Sequence, residues 1–475
     1  MNRRESFAVR QLVTWLCLFT AAACAVGPDF RPPEIQPPSG WLGKAPAMSF
    51  TPEHQAELVS WWTTFDDETL ISLVDRAIAS NLDLQAAASR IRQARASRGL
   101  VAAGLAPAAD VTASFTRRRS VSSAFDDTSA TSSNLFLAGL DAAWELDIFG
   151  GVRREIEAAD ADIQFTIEDY RNTLVTLAAE VALNYLELRG FQQEVLIAQQ
   201  NLAAQQHSAE ITRKRFSAGI VSALDVANAT AQVATTASQI PVFETSAQQA
   251  IYNLSVLIAM DPSALVDELS TAAPIPGNPP AIPLLLPSDL LLRRPDIRSA
   301  EAQIRSATAR IGVATADLFP KFNLVGSYGF EGDESGEWLK RAYRVWSFGP
   351  SVSWNVFDAG RIRSNIALQE ALQEETVLAY EKTVLTAFQE VENALIAYAK
   401  EQERRTALID AVTANRKAVD LSTKLYREGL TDFLNVLIAQ RLLFDSEDAL
   451  VQSTRNLSTN LVALYKALGG GWDSK

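Results

Sequence analysis

The chain has 475 residues, 48% of them hydrophobic, and a formal net charge of −13. Its mean hydropathy of +0.01 means that apolar residues are interspersed with polar ones. Beyond the N-terminus no stretch approaches the run of about 20 apolar residues that a membrane-spanning helix needs, so a bilayer crossing requires a closed β-barrel. The acidic balance argues against a nucleic-acid partner.

In chain order, the first element is an export signal. Arg3, Arg4 and Arg10 form a basic start, Leu12 to Ala23 a short apolar core, and Ala21 and Ala23 a small-residue cleavage site before Cys24. Removing residues 1–23 takes three Arg and one Glu and leaves the remainder more acidic. Cys17 lies within the signal, so Cys24 is the last cysteine and no internal disulfide can form. In "CAVGPDFRPP" Cys24 reads as the lipidated first residue of a bacterial lipoprotein, its lipid being the single covalent group expected, with no other cofactor. Ala21 stands where a lipid box usually carries Leu, and plain cleavage at the same bond would leave a free terminal thiol. Residues 24–60 form an extended, proline-containing segment.

The rest of the chain is a tandem duplication, with repeat 1 over 61–270, a proline-rich connector over 271–295 and repeat 2 over 296–475. Trp144, Gly150, Arg153 and Ile156 match Trp354, Gly360, Arg363 and Ile366 at an offset of 210, as do Gly219, Leu224, Val226 and Ala229 with Gly429, Leu434, Val436 and Ala439. Upstream, Asp83, Ile91, Gly99 and Pro107 match Asp296, Ile304, Gly312 and Pro320 at an offset of 213. Each repeat reads as helix, two strands, a very long helix, a tight break at glycine, and a helix. The hairpins, placed at 110–148 and 322–357, show strict alternation. Phe136 and Trp144 lie on one face in the first hairpin. In the second, Phe322 and Tyr328 lie on one face of the first strand, and Trp346, Phe348 and Trp354 on one face of the second, opposite Ser347, Ser351 and Ser353. An apolar face backed by small polar residues, with aromatics near the strand ends, fits transmembrane strands of about 10 residues, greasy side to lipid. A soluble sheet packed on a core would also alternate. "RRRSVSSAFDDTSATSSN" and "EGDESGEWLKRAYR" read as long polar loops joining the strands. Gly151 to about Phe216 and Arg361 to about Arg427 contain no proline and read as helices roughly 100 Å long, with coiled-coil-like apolar spacing.

No catalytic or metal-binding constellation is present. His54 and His207 are the only histidines, and neither a phosphate loop nor a nucleophile elbow occurs. Met48 and Met260 do not make a methionine ladder for metal export. The expectation is therefore a non-enzyme, with no metal.

The motifs "CAVGPDFRPP", "LPSDLLLRRPDIRSAEAQI", "LFPKFNLVGSYG", "WNVFDAGRIR" and "YREGLTDFLNVLIAQRLLF" resemble the bacterial outer membrane factor family, of the TolC and OprM/NodT efflux-lipoprotein type. The resemblance implies an α+β membrane protein: a homotrimer whose long helices form an α-barrel continuous with a twelve-strand β-barrel, four strands per subunit. It implies a location in the outer membrane, anchored in its lipid and extending into the periplasm, and a passive conduit for drugs or other small solutes. A periplasmic adaptor and an inner-membrane pump of the RND class would be the partners. It places "SAGI", Ser217, Ala218, Gly219 and Ile220, and "EGL", Glu428, Gly429 and Leu430, at periplasmic tips that dock the adaptor. By the same resemblance Asp225 and Tyr426 would bond to hold the channel closed, and Leu434 would be an apolar constriction. Asn435 and Ile438 stand where relatives carry further acids. Asp225 capping the returning helix and Leu434 as ordinary core remain open alternatives, as do a type I protein-secretion channel and a periplasmic coiled-coil scaffold.

Overall fold

The computed structural model describes residues 25–38, 40–42, 47–49, 54–124, 127–277, 282–284, 287–334 and 338–473. The signal, Cys24 and the side chain of His54 lie outside the described residues. The strands are β1 (Ala47–Ser49), β2 (Ala108–Ala124), β3 (Asp127–Leu146), β4 (Ile282–Leu284), β5 (Lys321–Gly332) and β6 (Arg344–Ser353). The principal helices are α1 (Glu68–Ser80), α2 (Leu82–Ala102), α3 (Gly151–Ser217), α4 (Ala223–Leu257), α5 (Pro295–Ala316), α6 (Arg361–Glu428) and α7 (Phe433–Ala467). α3 and α6, of 67 and 68 residues, are unbroken helices. Among the described residues no helix is long and apolar enough to cross a membrane.

The compact units of the molecule are not the sequence repeats. One gathers Arg90–Thr166 and Ser299–Tyr380 with the chain up to Glu34; the other gathers Ile35–Ser89, Ile167–Arg298 and Glu381–Lys475. Each unit takes a part of both repeats. A long helix cannot bury its own apolar stripe, so the matching parts of the two halves pack on one another.

The first unit holds one antiparallel sheet in the order β2-β3-β5-β6. β2 and β3 are longer than the expected strands, because the segment read as a polar loop continues the ladder, with Arg117 opposite Asn134 and Ser120 opposite Thr131. Val, Ser and Thr in alternation carry a β-ladder without needing a core. β6 ends at Ser353, so Trp354, Asn355, Val356 and Phe357 lie beyond the strand, short of the hairpin end expected at 357.

Both strand pairs feed into helix through the same device. Asp147 accepts hydrogen bonds from the backbone N–H of Val152 and Arg153 at 3.1 and 2.9 Å. Asp358 accepts from Gly360 and Ile362 at 3.0 and 2.8 Å, and these bonds, that from Ile362 foremost, hold its carboxyl below the usual range. A carboxylate at the start of each long helix satisfies its orphan donors and its dipole. Trp144 and Trp354 donate their indole N–H to the carbonyls of Leu105 and Leu318 at 2.9 and 3.1 Å, which preserves the duplication at atomic level.

In the same unit the segment after Cys24 is fastened down. The Val26 N–H donates to the Phe149 carbonyl at 3.1 Å, and Arg154 donates to the carbonyl of Val26 at 3.0 Å and to Asp29 at 2.7 Å. Arg305 lies over the Phe30 ring at 4.8 Å. Gly27 has φ +94°, and a Cβ there would run into the backbone of Gly312. That close approach is why "VGPDF" needs its glycine.

The second unit has the larger apolar core. Trp61 stacks on Tyr465 at 5.4 Å, and Leu70, Leu73, Leu188 and Leu254 are fully buried. Asp67 caps α1 through the Leu70 N–H at 2.9 Å and accepts from the Tyr185 hydroxyl at 2.8 Å.

Candidate channel sheet and helix tips

Strand register sorts the sheet residues into two faces. Phe115 opposes Phe136, Leu140 opposes Tyr328, Tyr328 opposes Trp346, and Phe322 opposes Val352, so one face carries the large apolar side chains. Trp144, opposite Leu324, and Phe348, opposite Gly326, share it. Trp346 and Phe348 are 70% and 71% exposed on it. The opposite face is mainly small and polar, with Leu135, Leu137, Val325 and Val345 interspersed: the Thr112 hydroxyl donates to Asp141 at 3.0 Å, and the Ser327 and Ser347 hydroxyls bond at 2.8 Å. A buried core is not the source of the alternation, because both faces are largely open to the surroundings in one chain. Of the residues assigned from sequence to the apolar face, Phe136, Trp144, Phe322, Tyr328, Trp346 and Phe348 lie in strands, whereas Trp354 lies just past β6, half-exposed at the strand-to-helix junction. β2 and β6 form the two edges of the sheet.

The two helix breaks are built alike. α3 ends with the Ile220 N–H donating to the Arg215 carbonyl and the Gly219 N–H to Phe216, both at 2.9 Å, with Gly219 at φ +75°. α6 ends with Leu430 donating to Leu425 at 2.9 Å and Gly429 to Tyr426 at 3.1 Å, with Gly429 at φ +78°. Both are Schellman turns, which require a left-handed residue. Ser217, Ala218, Gly219, Ile220, Glu428, Gly429 and Leu430 are all exposed, Ile220 and Leu430 at 62% and 69%.

The expected Asp225–Tyr426 bond is not formed within the chain. Asp225 is the third residue of a capping box: the N–H and hydroxyl of Ser222 donate to its carboxylate at 3.0 and 2.9 Å, and its own N–H donates back to Ser222. Capping occupies the carboxylate with the start of α4. Tyr426 is buried with Ala209, Ala229, Phe433 and Val436, and its hydroxyl donates to Thr212 at 3.3 Å. Its charged partner is Arg215, whose guanidinium lies over the ring at 4.6 Å and donates to the Tyr426 carbonyl. Arg215 thus joins the end of α3 to the end of α6. Sequence reading passes over it because the duplication places Leu425 opposite it, so no repeat signal marks it. Leu434 is not core. It is 54% exposed and shares an open face of α7 with Asn435 and Ile438, opposite buried Phe433 and Val436. Asn435 donates to Thr431 at 2.7 Å.

A family model described as outer membrane efflux protein matches twice, over residues 73–259 and 286–470. The chain belongs to the outer membrane efflux protein family. The double match falls on the two sequence repeats. The pyoverdine export outer membrane protein OpmQ of Pseudomonas aeruginosa is 33% identical over 96% of both chains. Nodulation protein T of Rhizobium leguminosarum bv. trifolii is 29% identical over 95% of both. The solved outer-membrane channel OprN superposes with a TM-score of 0.86 at 37% identity, covering 94% of this chain and all of that one. The protein is an outer membrane efflux channel with an α+β fold, and its family is one of channels rather than enzymes.

In this efflux protein one buried charge stands apart from sheet and tips. Glu194 of α3 is almost wholly buried and accepts from Arg455 of α7 at 3.2 Å, while Arg455 lies over Phe191 at 5.0 Å. Burial pushes the Glu194 carboxyl up to about 7, opposed by Arg455 and reinforced by Asp448. Because the folded value lies above the unfolded one, the native state holds the proton longer. Stability falls as pH rises from about 4.5 to about 7, by about 3 kcal/mol, and then levels off. Glu194→Gln is expected to flatten that stretch: the loss of thermal stability between pH 5 and pH 8 should be smaller in the variant than in the parent.

Proposed function

We propose that this outer membrane efflux protein works as a passive homotrimeric conduit for small solutes, served by a periplasmic adaptor and an RND-class inner-membrane pump. The observation that carries the reading is the four-stranded sheet, both of whose edges are unpaired among the described residues, with one exposed apolar face. Backbone groups at a lipid-facing edge must be satisfied, and copies of the same chain can do this by joining β6 to the next β2. Three copies would give a twelve-strand barrel with the serine face lining the pore. α6 supports the same assembly: Leu368, Leu372, Leu385 and Ile396 are exposed along it and need cover from neighbouring helices. Small solutes are favoured over secreted proteins because the relative OpmQ is named for pyoverdine export. Energy would come from the pump, since the chain carries no phosphate loop.

In this reading the exposed tips at Gly219 and Gly429 receive the adaptor. Leu434 and Ile438, with Asn435 between them, form an apolar constriction that closes by dewetting. Cys24 carries the lipid, and the "AVGPDF" segment that follows it is docked beside the sheet-to-helix junction. Purified protein added to a planar bilayer tests the reading. It should produce uniform conductance steps that increase when Leu434 is replaced by Ser. Absence of any conductance from the folded, membrane-inserted Leu434→Ser variant would refute it.

A further inference from the structure

We infer that the outward face of the barrel rim binds the phosphate groups of outer-leaflet lipid through Arg117, Arg119 and Arg344. The inference rests on the lipid-facing assignment of the apolar sheet face. Strand parity carries it further. On β2 the residues sharing the face of Phe115 are, going toward the hairpin end, Arg117 and Arg119, opposite Asn134 and Ser132. On β6 the residue opening the strand at that same end of the sheet is Arg344, opposite Phe330 and two residues before Trp346, on that face. Along their own strands, Arg117 and Arg119 therefore lie beyond Phe115, and Arg344 beyond Trp346, on the apolar face.

The aromatic cluster at this end marks where the band stops. Phe115 and Phe136 lie 4.7 Å apart, and Phe136 stacks on Trp338 at 6.1 Å. Aromatic rings gather at the level where lipid tails meet headgroups. Two residues further along a strand is about 7 Å, the depth of a lipid phosphate above the tails. Arg117, Arg119 and Arg344 are exposed, and no ion-pair partner for any of them occurs among the described residues. The carboxylate of the β5 end, Glu331, opposes Leu137 and so lies on the other face. β2 and β6 are the two edges of the sheet, so closure by copies would bring the strand of Arg117 and Arg119 in one chain next to the strand of Arg344 in the next. Paired guanidinium forks bind phosphate oxygens bidentately, which lysine cannot do. The occupant is thus a phosphorylated lipid of the outer leaflet.

The alternation also supplies an internal control. Arg118, between the other two, opposes Ser133 and points to the polar face. The test is native mass spectrometry of the detergent-purified assembly, titrated with a bis-phosphorylated glycolipid and with its dephosphorylated form. The parent should retain the phosphorylated lipid alone. Arg117→Gln/Arg119→Gln/Arg344→Gln should weaken retention by about tenfold or more, as expected from losing several charge-assisted bonds. The three Arg→Lys changes together should give an intermediate loss, and Arg118→Gln should give none. Equal retention in the triple Gln variant, or an equal loss in Arg118→Gln, would overturn the inference. If the triple variant does not assemble, Arg344→Gln alone decides by the same criterion. Quenching of Trp346 by brominated acyl chains, read as the share lost in Trp346→Phe, separates the two failures. Quenching without an arginine effect leaves the lipid-facing reading standing and removes the phosphate site; no quenching removes both.

Discussion

Phe348→Arg is expected to abolish assembly in the membrane, while Ser347→Arg at the adjacent position is expected to preserve it. Both residues lie in the middle of β6, and register puts them on opposite faces of the sheet. An arginine on the lipid face near the midplane costs about 2–4 kcal/mol, and a three-copy barrel would incur it three times. The total, about 6–12 kcal/mol, is comparable to the whole stability of an ordinary fold. At Ser347 the same side chain would stand in the water-filled interior, where it costs little and changes ion selectivity. The check is the fraction of heat-resistant oligomer on a denaturing gel, with the conductance of whatever assembles. Loss of oligomer from both variants alike would mean that the faces are not chemically distinct.

The second large effect is expected at Arg215. Its contact with the Tyr426 ring at 4.6 Å and its bond to the Tyr426 carbonyl join the tips of the two repeats. A partly desolvated cation–π contact and a charge-assisted hydrogen bond together are on the order of 2–4 kcal/mol. Arg215→Ala should therefore loosen the pairing of the tips and raise resting permeability to a glycopeptide such as vancomycin by about tenfold or more. Arg215→Lys, which keeps the charge but not the planar stacking, should fall between. Tyr426→Phe should do little, because the ring is retained and only a 3.3 Å hydroxyl bond to Thr212 is lost. Asp225→Ala should cost about 0.3–1 kcal/mol in local helix stability through the lost carboxylate at the helix start, without reproducing the leak. A leak from Tyr426→Phe as large as that from Arg215→Ala would point to the hydroxyl instead.

These contrasts show which parts of the molecule are legible before folding. Period-two alternation from Trp346 to Val352 fixes the faces of β6, because a strand has only two sides. The glycines at 219 and 429 locate the helix breaks, because few residues tolerate a left-handed turn. Partnerships are harder to read. Asp225 is three residues after Ser222, a spacing that signals a cap as plainly as a gate, and the cap is what forms. Arg215 is one of many basic residues on a helix of 67, and only three-dimensional proximity to Tyr426 distinguishes it. The extent of β2 and β3 reads short because serine and threonine in alternation resemble a loop in composition while behaving as a strand. The Gly27–Gly312 approach joins positions 285 residues apart, and nothing local announces it.

The central claim is that sister copies close the open sheet through its two edges, and cross-linking tests it most directly. A cysteine at Val111 of β2 would be combined in turn with one at Phe348, Pro350 or Val352 of β6 and treated with a short bifunctional maleimide, the chain without added cysteines serving as control. Within one sheet β2 and β6 are separated by three strand spacings, about 14 Å, beyond the reach of the shortest reagents. Edge-to-edge closure predicts a covalent ladder that ends at three chains for at least one pair. Uncross-linked single chains for every pair, in a sample that is folded and in the membrane, would contradict it.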